Sequence, residues 1–276
     1  MHHKLFRISL ILEAILLIAL VVLYNYFAFT EINLEIKLLL KVFPLLSLML
    51  IVILYFQIYR LTIYSLGILA SLLFCVIGDF FVGLYQKETI FVSNEQSVYF
   101  ILGGGFFLFA RLLLCVVFIV KPYRNFSLIK FPYKKTFICH IIFVFPFIIL
   151  GILELIYDQT LVSVSIFLYS FFGFGFTLSY SFLRIGQLSN NNSDSEIEIE
   201  ESKISSLVAF IGILLFNFSD IILILSLINI IPEFFIIISD NIYWLAMYLL
   251  TASIVRSSNE LIEKGFEYLI VENPDI

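Results

Sequence analysis

Cys75 to Leu84 reads CVIGDFFVGL and sets one carboxylate, Asp79, inside a run of apolar residues. A second stretch of the same kind, Leu214 to Leu223 (LLFNFSDIIL), carries Asp220 about half a chain later. An ionisable group at membrane depth costs roughly 2.5 to 3.5 kcal/mol on insertion scales, so it persists where a site or a partner requires it. Two such groups need a joint account.

The solvent around them is set by composition. Of 276 residues, 62% are hydrophobic and only 13% are charged, with a mean hydropathy of +1.08. A soluble domain, near half apolar, would expose large greasy patches at this excess. Lipid is therefore the expected surrounding medium, and windows of about 20 apolar residues recur nearly end to end. The expected fold is all-α, a polytopic integral membrane bundle of eight transmembrane helices forming a single transmembrane domain over residues 1–276.

Other chemistries are poorly supported. No basic and aromatic patch fits nucleic acid, and much of the net charge of -5 sits in one loop, Asp194 to Glu201. Cys75, Cys115 and Cys139 have no paired spacing and read as free apolar thiols. His2, His3 and His140 do not make a metal site, so no metal and no cofactor is expected. The FFGFGF run, Phe171 to Phe176, has no strand before it and reads as close helix packing rather than a nucleotide loop.

In chain order the expected spans are Phe6–Phe29, Glu35–Ile58, Thr62–Leu84, Val98–Val120, Thr136–Tyr157, Thr160–Leu183, Ile204–Ile230 and Phe234–Val255. Glu13, near the start of the first, reads as a carboxylate close to the headgroups and to Arg7. Lys41 and Pro44 interrupt the second; the proline sets an angle or a mild kink, and Lys41 is expected to snorkel outward. Gly103, Gly104 and Gly105 open the fourth and would let another backbone come close. Arg111 lies too deep for either surface, so Asp79 or Asp220 is its expected partner. Residues 187–203, QLSNNNSDSEIEIEESK, read as a flexible acidic loop, and residues 256–276 as an amphipathic cytosolic tail.

Eight spans place both termini on one side. With that side cytosolic, Lys4, Arg7, Arg60, Lys121, Arg124, Lys130, Lys134, Lys135, Arg184, Lys203, Arg256 and Lys264 all face it, against Lys37, Lys41 and Lys87 opposite. The excess of Lys and Arg identifies the cytosolic side. In this topology Lys41, Asp79, Arg111 and Asp220 fall at similar depth on four helices, given a rise of about 1.5 Å per residue.

These motifs resemble the YhhN-type family of eight-span membrane proteins, the lysoplasmalogenases. The resemblance rests on Lys41 with Pro44, Gly78 with Asp79, Ser219 with Asp220, and the Tyr-rich IYWLAMYLL of Ile242 to Leu250. It covers essentially the whole chain in span number and motif order. Two positions depart from the family pattern: Arg111 stands where the family has histidine, and Met247 where it has glutamine.

The resemblance implies hydrolysis of the vinyl-ether bond of a lysoplasmalogen, giving a fatty aldehyde and a glycerophospho-choline or -ethanolamine. The implied partners are this lysophospholipid substrate and membrane lipid; the implied location is the endoplasmic reticulum or another endomembrane if the source is eukaryotic. A vinyl ether hydrolyses through protonation of its β carbon, and water then traps the oxocarbenium ion. That requires a protonated carboxylic acid and a carboxylate that steadies the cation or activates water. Asp79 and Asp220 are the expected catalytic pair, in either order. Lys41 and Arg111 would hold the lipid phosphate or set the Asp charges, with Asn217 and Tyr243 as supporting donors.

Two readings from other classes compete. Paired intramembrane carboxylates also build proton or cation transporters, and Ile77-Gly78-Asp79 faintly echoes Phe218-Ser219-Asp220 four spans apart, as a two-repeat carrier would. A non-catalytic lipid-binding membrane protein, its buried ion pairs only fixing helix packing, is the other.

Overall fold

The computed structural model describes residues 2–28, 34–58, 63–88, 96–119, 196–227, 231–232 and 234–272, and singly residues 138, 141, 142, 152, 169, 177 and 181. Within them lie six long helices and no strand: α1 (His2–Ala28), α2 (Leu34–Ile58), α3 (Ile63–Glu88), α4 (Gln96–Ile119), α5 (Glu196–Leu227) and α6 (Phe235–Glu272). In a bilayer every backbone N–H and C=O must be satisfied within the segment, so these Leu, Ile, Phe and Val runs fold as helices despite their β-branched content. Five are long and apolar enough to cross a membrane, over Glu35–Phe56, Tyr64–Leu84, Val98–Phe118, Ile204–Leu223 and Phe235–Ile254; α1 holds a shorter apolar stretch, Ile11–Phe27. The protein is a multi-pass helical membrane protein. The spans expected at 136–157 and 160–183 lie outside the described residues apart from the single positions.

Two boundaries differ from expectation. α5 begins at Glu196, so the second half of the acidic stretch is helical, while residues 187–195 lie outside the described residues. α6 runs without a break from its span to Glu272, which makes most of the tail a continuation of the last helix.

Small residues set the closest packing. A Cβ on Gly103 would sit 3.1 Å from the carbonyl oxygen of Gly78, and one on Gly78 would sit 3.2 Å from that of Gly103, so α3 and α4 meet backbone to backbone here. Ser71 ties the same pair, its Oγ donating to the Ala110 carbonyl at 3.1 Å. Gly104 and Gly105 face open space, so only one glycine of the three serves this contact. On the other side α5 and α6 pair closely, with Gly212 against the backbone of Ala246 and Ser205 Oγ donating to the Ser253 carbonyl at 2.7 Å. In lipid, association draws on such van der Waals contact and interhelical hydrogen bonds rather than on a hydrophobic drive.

α2 packs between these two pairs and α1, and contributes Leu45, Leu48 and Tyr55 to the core alongside Tyr64, Ile68, Leu72, Phe216 and Trp244. The outward faces carry Ile11, Ile18, Leu39, Leu50, Phe109 and Phe218, each more than half exposed. That pattern suits hydrocarbon. The helices alternate in direction, so the residues near 28, 34, 88, 96, 227 and 235 share one end of the bundle.

Candidate active site

Two ionic centres lie inside the bundle. The deeper one is built on Arg111, which is completely buried. Asn217 and Asp220 stand three residues apart on α5 and so share a face, and α4 presents Arg111 to both. Its Nη1 donates to Asn217 Oδ1 and its Nη2 to Asp220 Oδ2. Its Nε donates to the Tyr169 hydroxyl at 2.9 Å, and that hydroxyl donates onward to Asp220 Oδ2. The guanidinium carbon lies 3.7 Å from the centroid of the Phe216 ring, a cation–π arrangement. Arg111 therefore takes Asp220, not Asp79, as its partner. Asn217 offers its oxygen to Arg111.

The second centre lies nearer the end of the bundle. Lys41 Nζ is 3.1 Å from Asp240 Oδ1, and the Tyr24 hydroxyl donates to Asp240 Oδ2 at 2.6 Å. Lys41 is 3% exposed, so it does not snorkel outward. The reason is a carboxylate on the neighbouring helix α6, which gives the ammonium a closer partner than the interface. Tyr24 also sets its ring edge-on to Trp244, at 4.9 Å and 81°, which holds α1 against α6. The two centres share one motif, a tyrosine and a cation that converge on one aspartate.

Asp79 belongs to neither pair. It is 2% exposed, and among the described residues its Oδ2 has no hydrogen-bond partner and Lys41, Asp240 and Asp220 are the charges that act on it. The Tyr243 hydroxyl stands within reach of Asp79 and of the Cys75 thiol but closes no well-aligned hydrogen bond to either. Phe107, Phe216 and Tyr243 form an aromatic cluster, their centroids 5.4 to 6.4 Å apart. It runs from Tyr243, beside Asp79, to Phe216, which lies under Arg111. Phe107 packs on Gly78, where any side chain would strike the ring at 3.0 Å, so the glycine before Asp79 makes room for this wall.

Among the described residues the interior thus holds four buried carboxyls, Glu13, Asp79, Asp220 and Asp240, against two buried cations, Lys41 and Arg111. Glu13 does not sit at a headgroup rim. It is 6% exposed, close to Ser47 of α2 and Tyr248 of α6, and its Oε1 has no hydrogen-bond partner among the described residues. No three His, Cys, Asp or Glu side chains among the described residues converge as a metal-ligand set. Met247 is buried core one turn beyond Tyr243.

Asp240, Tyr24 and Tyr169 are the functional candidates that sequence reasoning missed. Asp240 carried a signal: Ser239-Asp240 repeats Ser219-Asp220 inside an apolar run, FFIIISD. Its position close to the start of a span gave no sign of burial. Tyr24 and Tyr169 are two among 15 tyrosines, and only contact distinguishes them.

No curated protein and no solved structure matches this chain. A family model does: that of the YhhN family matches residues 36–254, which takes in α2 to α5 and the spanning part of α6 with Lys41, Asp79, Arg111, Asp220 and Asp240, so the chain belongs to the YhhN family.

Proposed function

We propose that the protein is an intramembrane ether-bond hydrolase of the lysoplasmalogenase type, acting on the vinyl-ether bond of a lysophospholipid by acid/base chemistry. Family membership supports the reaction class. The observation that carries the assignment of roles is the difference between two aspartates. Asp220 is clamped by Arg111 and Tyr169, which holds it as a fixed negative charge. Asp79 has a buried oxygen with no hydrogen-bond partner among the described residues.

In this reading Asp79 is the acid. It delivers a proton to the β carbon of the O–CH=CH unit, and the electron pair of the double bond forms the new C–H bond. The resulting oxocarbenium ion lies near the Asp220 carboxylate, whose charge lowers the energy of a cation developing in a low-dielectric site. Water adds to the cationic carbon and gives its proton back to Asp79. The hemiacetal then collapses to a fatty aldehyde and the glycerol hydroxyl. Tyr243, beside Asp79, orients the acid, and the ring cluster of Phe107, Phe216 and Tyr243 supplies an apolar wall for the alkenyl chain. Arg111 and Lys41 set the charges of the carboxylates.

The accompanying topology is eight spans with both termini cytosolic, in an endomembrane if the source is eukaryotic. Purified protein in lipid nanodiscs should release fatty aldehyde from a lysoplasmalogen and none from the saturated ether analogue. Asp79→Asn should lower kcat by about 100-fold or more, the usual contribution of a general acid. Absence of aldehyde from the wild-type protein, with proton flux in proteoliposomes, would replace the hydrolase with a transporter.

A further inference from the structure

In the reaction just described Lys41 sets carboxylate charge, while Asp240 and Tyr24, which share its centre beside the acid, have no part yet assigned. The Lys41 charge acts on Asp79, and its ammonium stands 3.1 Å from Asp240 Oδ1. Two carboxylates therefore compete for one ammonium. An ammonium has three N–H donors on a flexible four-carbon stem, so it can move between acceptors on neighbouring helices. On Asp79 it would convert the acid into the carboxylate of an ion pair, with no proton to give.

Three features hold it on Asp240. The carboxylate is fixed by the Tyr24 hydroxyl on Oδ2, which leaves Oδ1 turned to Lys41. Ser239, the residue before it, is pinned to the Ser219 carbonyl. Tyr24 itself is wedged against Trp244. From these contacts we infer that Asp240 is a positioning residue, with Tyr24 of α1 as its clamp, whose task is to keep the Lys41 ammonium off Asp79 so that Asp79 remains a neutral acid. The inference rests on Asp79 as the proton donor. α1 lies before the segment matched by the family, so part of this control comes from outside the matched segment.

The groups facing Asp79 are Lys41 from α2, Asp240 and Tyr243 from α6, Asp220 from α5, Tyr24 from α1 and Cys75 on its own helix. Among the described residues facing Asp79 only Lys41 is a cation, so its removal is the decisive control.

The test is infrared spectroscopy of the full chain in nanodiscs, reading the carbonyl stretch of protonated carboxyl groups, with turnover measured in parallel. The wild type should show a component that Asp79→Asn abolishes. Asp240→Asn should abolish the same component, because Lys41 moves to Asp79, and should lower kcat more than tenfold with KM within about twofold. The double variant Lys41→Met with Asp240→Asn should restore the component, and Tyr24→Phe should weaken it partially. The component surviving unchanged in Asp240→Asn, or failing to return in the double variant, overturns the proposal. The spectrum needs no substrate, so a chain that releases no aldehyde yet shows this pattern would sink the hydrolase and leave the positioning role standing.

Discussion

Ser239 donates a hydrogen bond to the backbone carbonyl of Ser219 at 2.7 Å, and each serine immediately precedes an aspartate. That bond sets α5 and α6 in a register where Asp220 turns to Arg111 on α4 and Asp240 to Lys41 on α2. Ser239→Ala should cost about 1 kcal/mol, the net worth of one buried hydrogen bond. The two centres would lose their common reference. Thermal unfolding in detergent measures the stability, and a fall in turnover larger than the stability loss explains would show the register at work.

Arg111 and Asp220 form a buried pair, and removing one member leaves an uncompensated charge. Arg111→Met or Asp220→Leu alone should destabilise by about 3 to 5 kcal/mol, whereas the double replacement should recover much of that loss. A double-mutant cycle on thermal unfolding checks this. Additive single losses would mean that the pair is not coupled in the folded protein. Turnover should be lost in all three variants.

Gly103 and Gly104 are adjacent but differ in surroundings. Gly103→Val would drive a Cβ to 2.7 Å from Val82 Cγ2 and 3.1 Å from the Gly78 carbonyl, which requires α3 and α4 to separate. The expected cost is about 1 to 3 kcal/mol, as for other overpacked sites, and Asp79, next to Gly78, should lose its geometry. Gly104→Ala meets nothing within 4 Å and should be neutral or slightly stabilising. Expression and unfolding temperature of the two variants give the comparison.

The proposed orientation puts Asn125-Phe126-Ser127 and Asn191-Asn192-Ser193 on the cytosolic side. Both sequons should stay unmodified when the chain is made in glycosylating microsomes. An acceptor placed between α3 and α4 should be modified. The reverse pattern would invert the topology.

The sequence by itself determined that this is a helical membrane protein: its apolar runs leave no solvent but lipid, and in lipid the backbone has few options. It also marked Asp79, Arg111 and Asp220, because a charge in the middle of an apolar span is expensive wherever the helix packs. Partners were another matter. Lys41 lies close enough to a span end that snorkelling and burial read alike, and the choice was made by Asp240, 199 positions later in the chain. Tyr24 and Tyr169 acquire meaning only from the oxygens they touch. Asp79 and Asp220 look equivalent as residues in apolar runs, yet one is clamped and the other is not. Burial is a property of a helix in its solvent and can be read from local composition. Pairing depends on the rotation and register of helices distant in sequence, which tertiary packing alone decides.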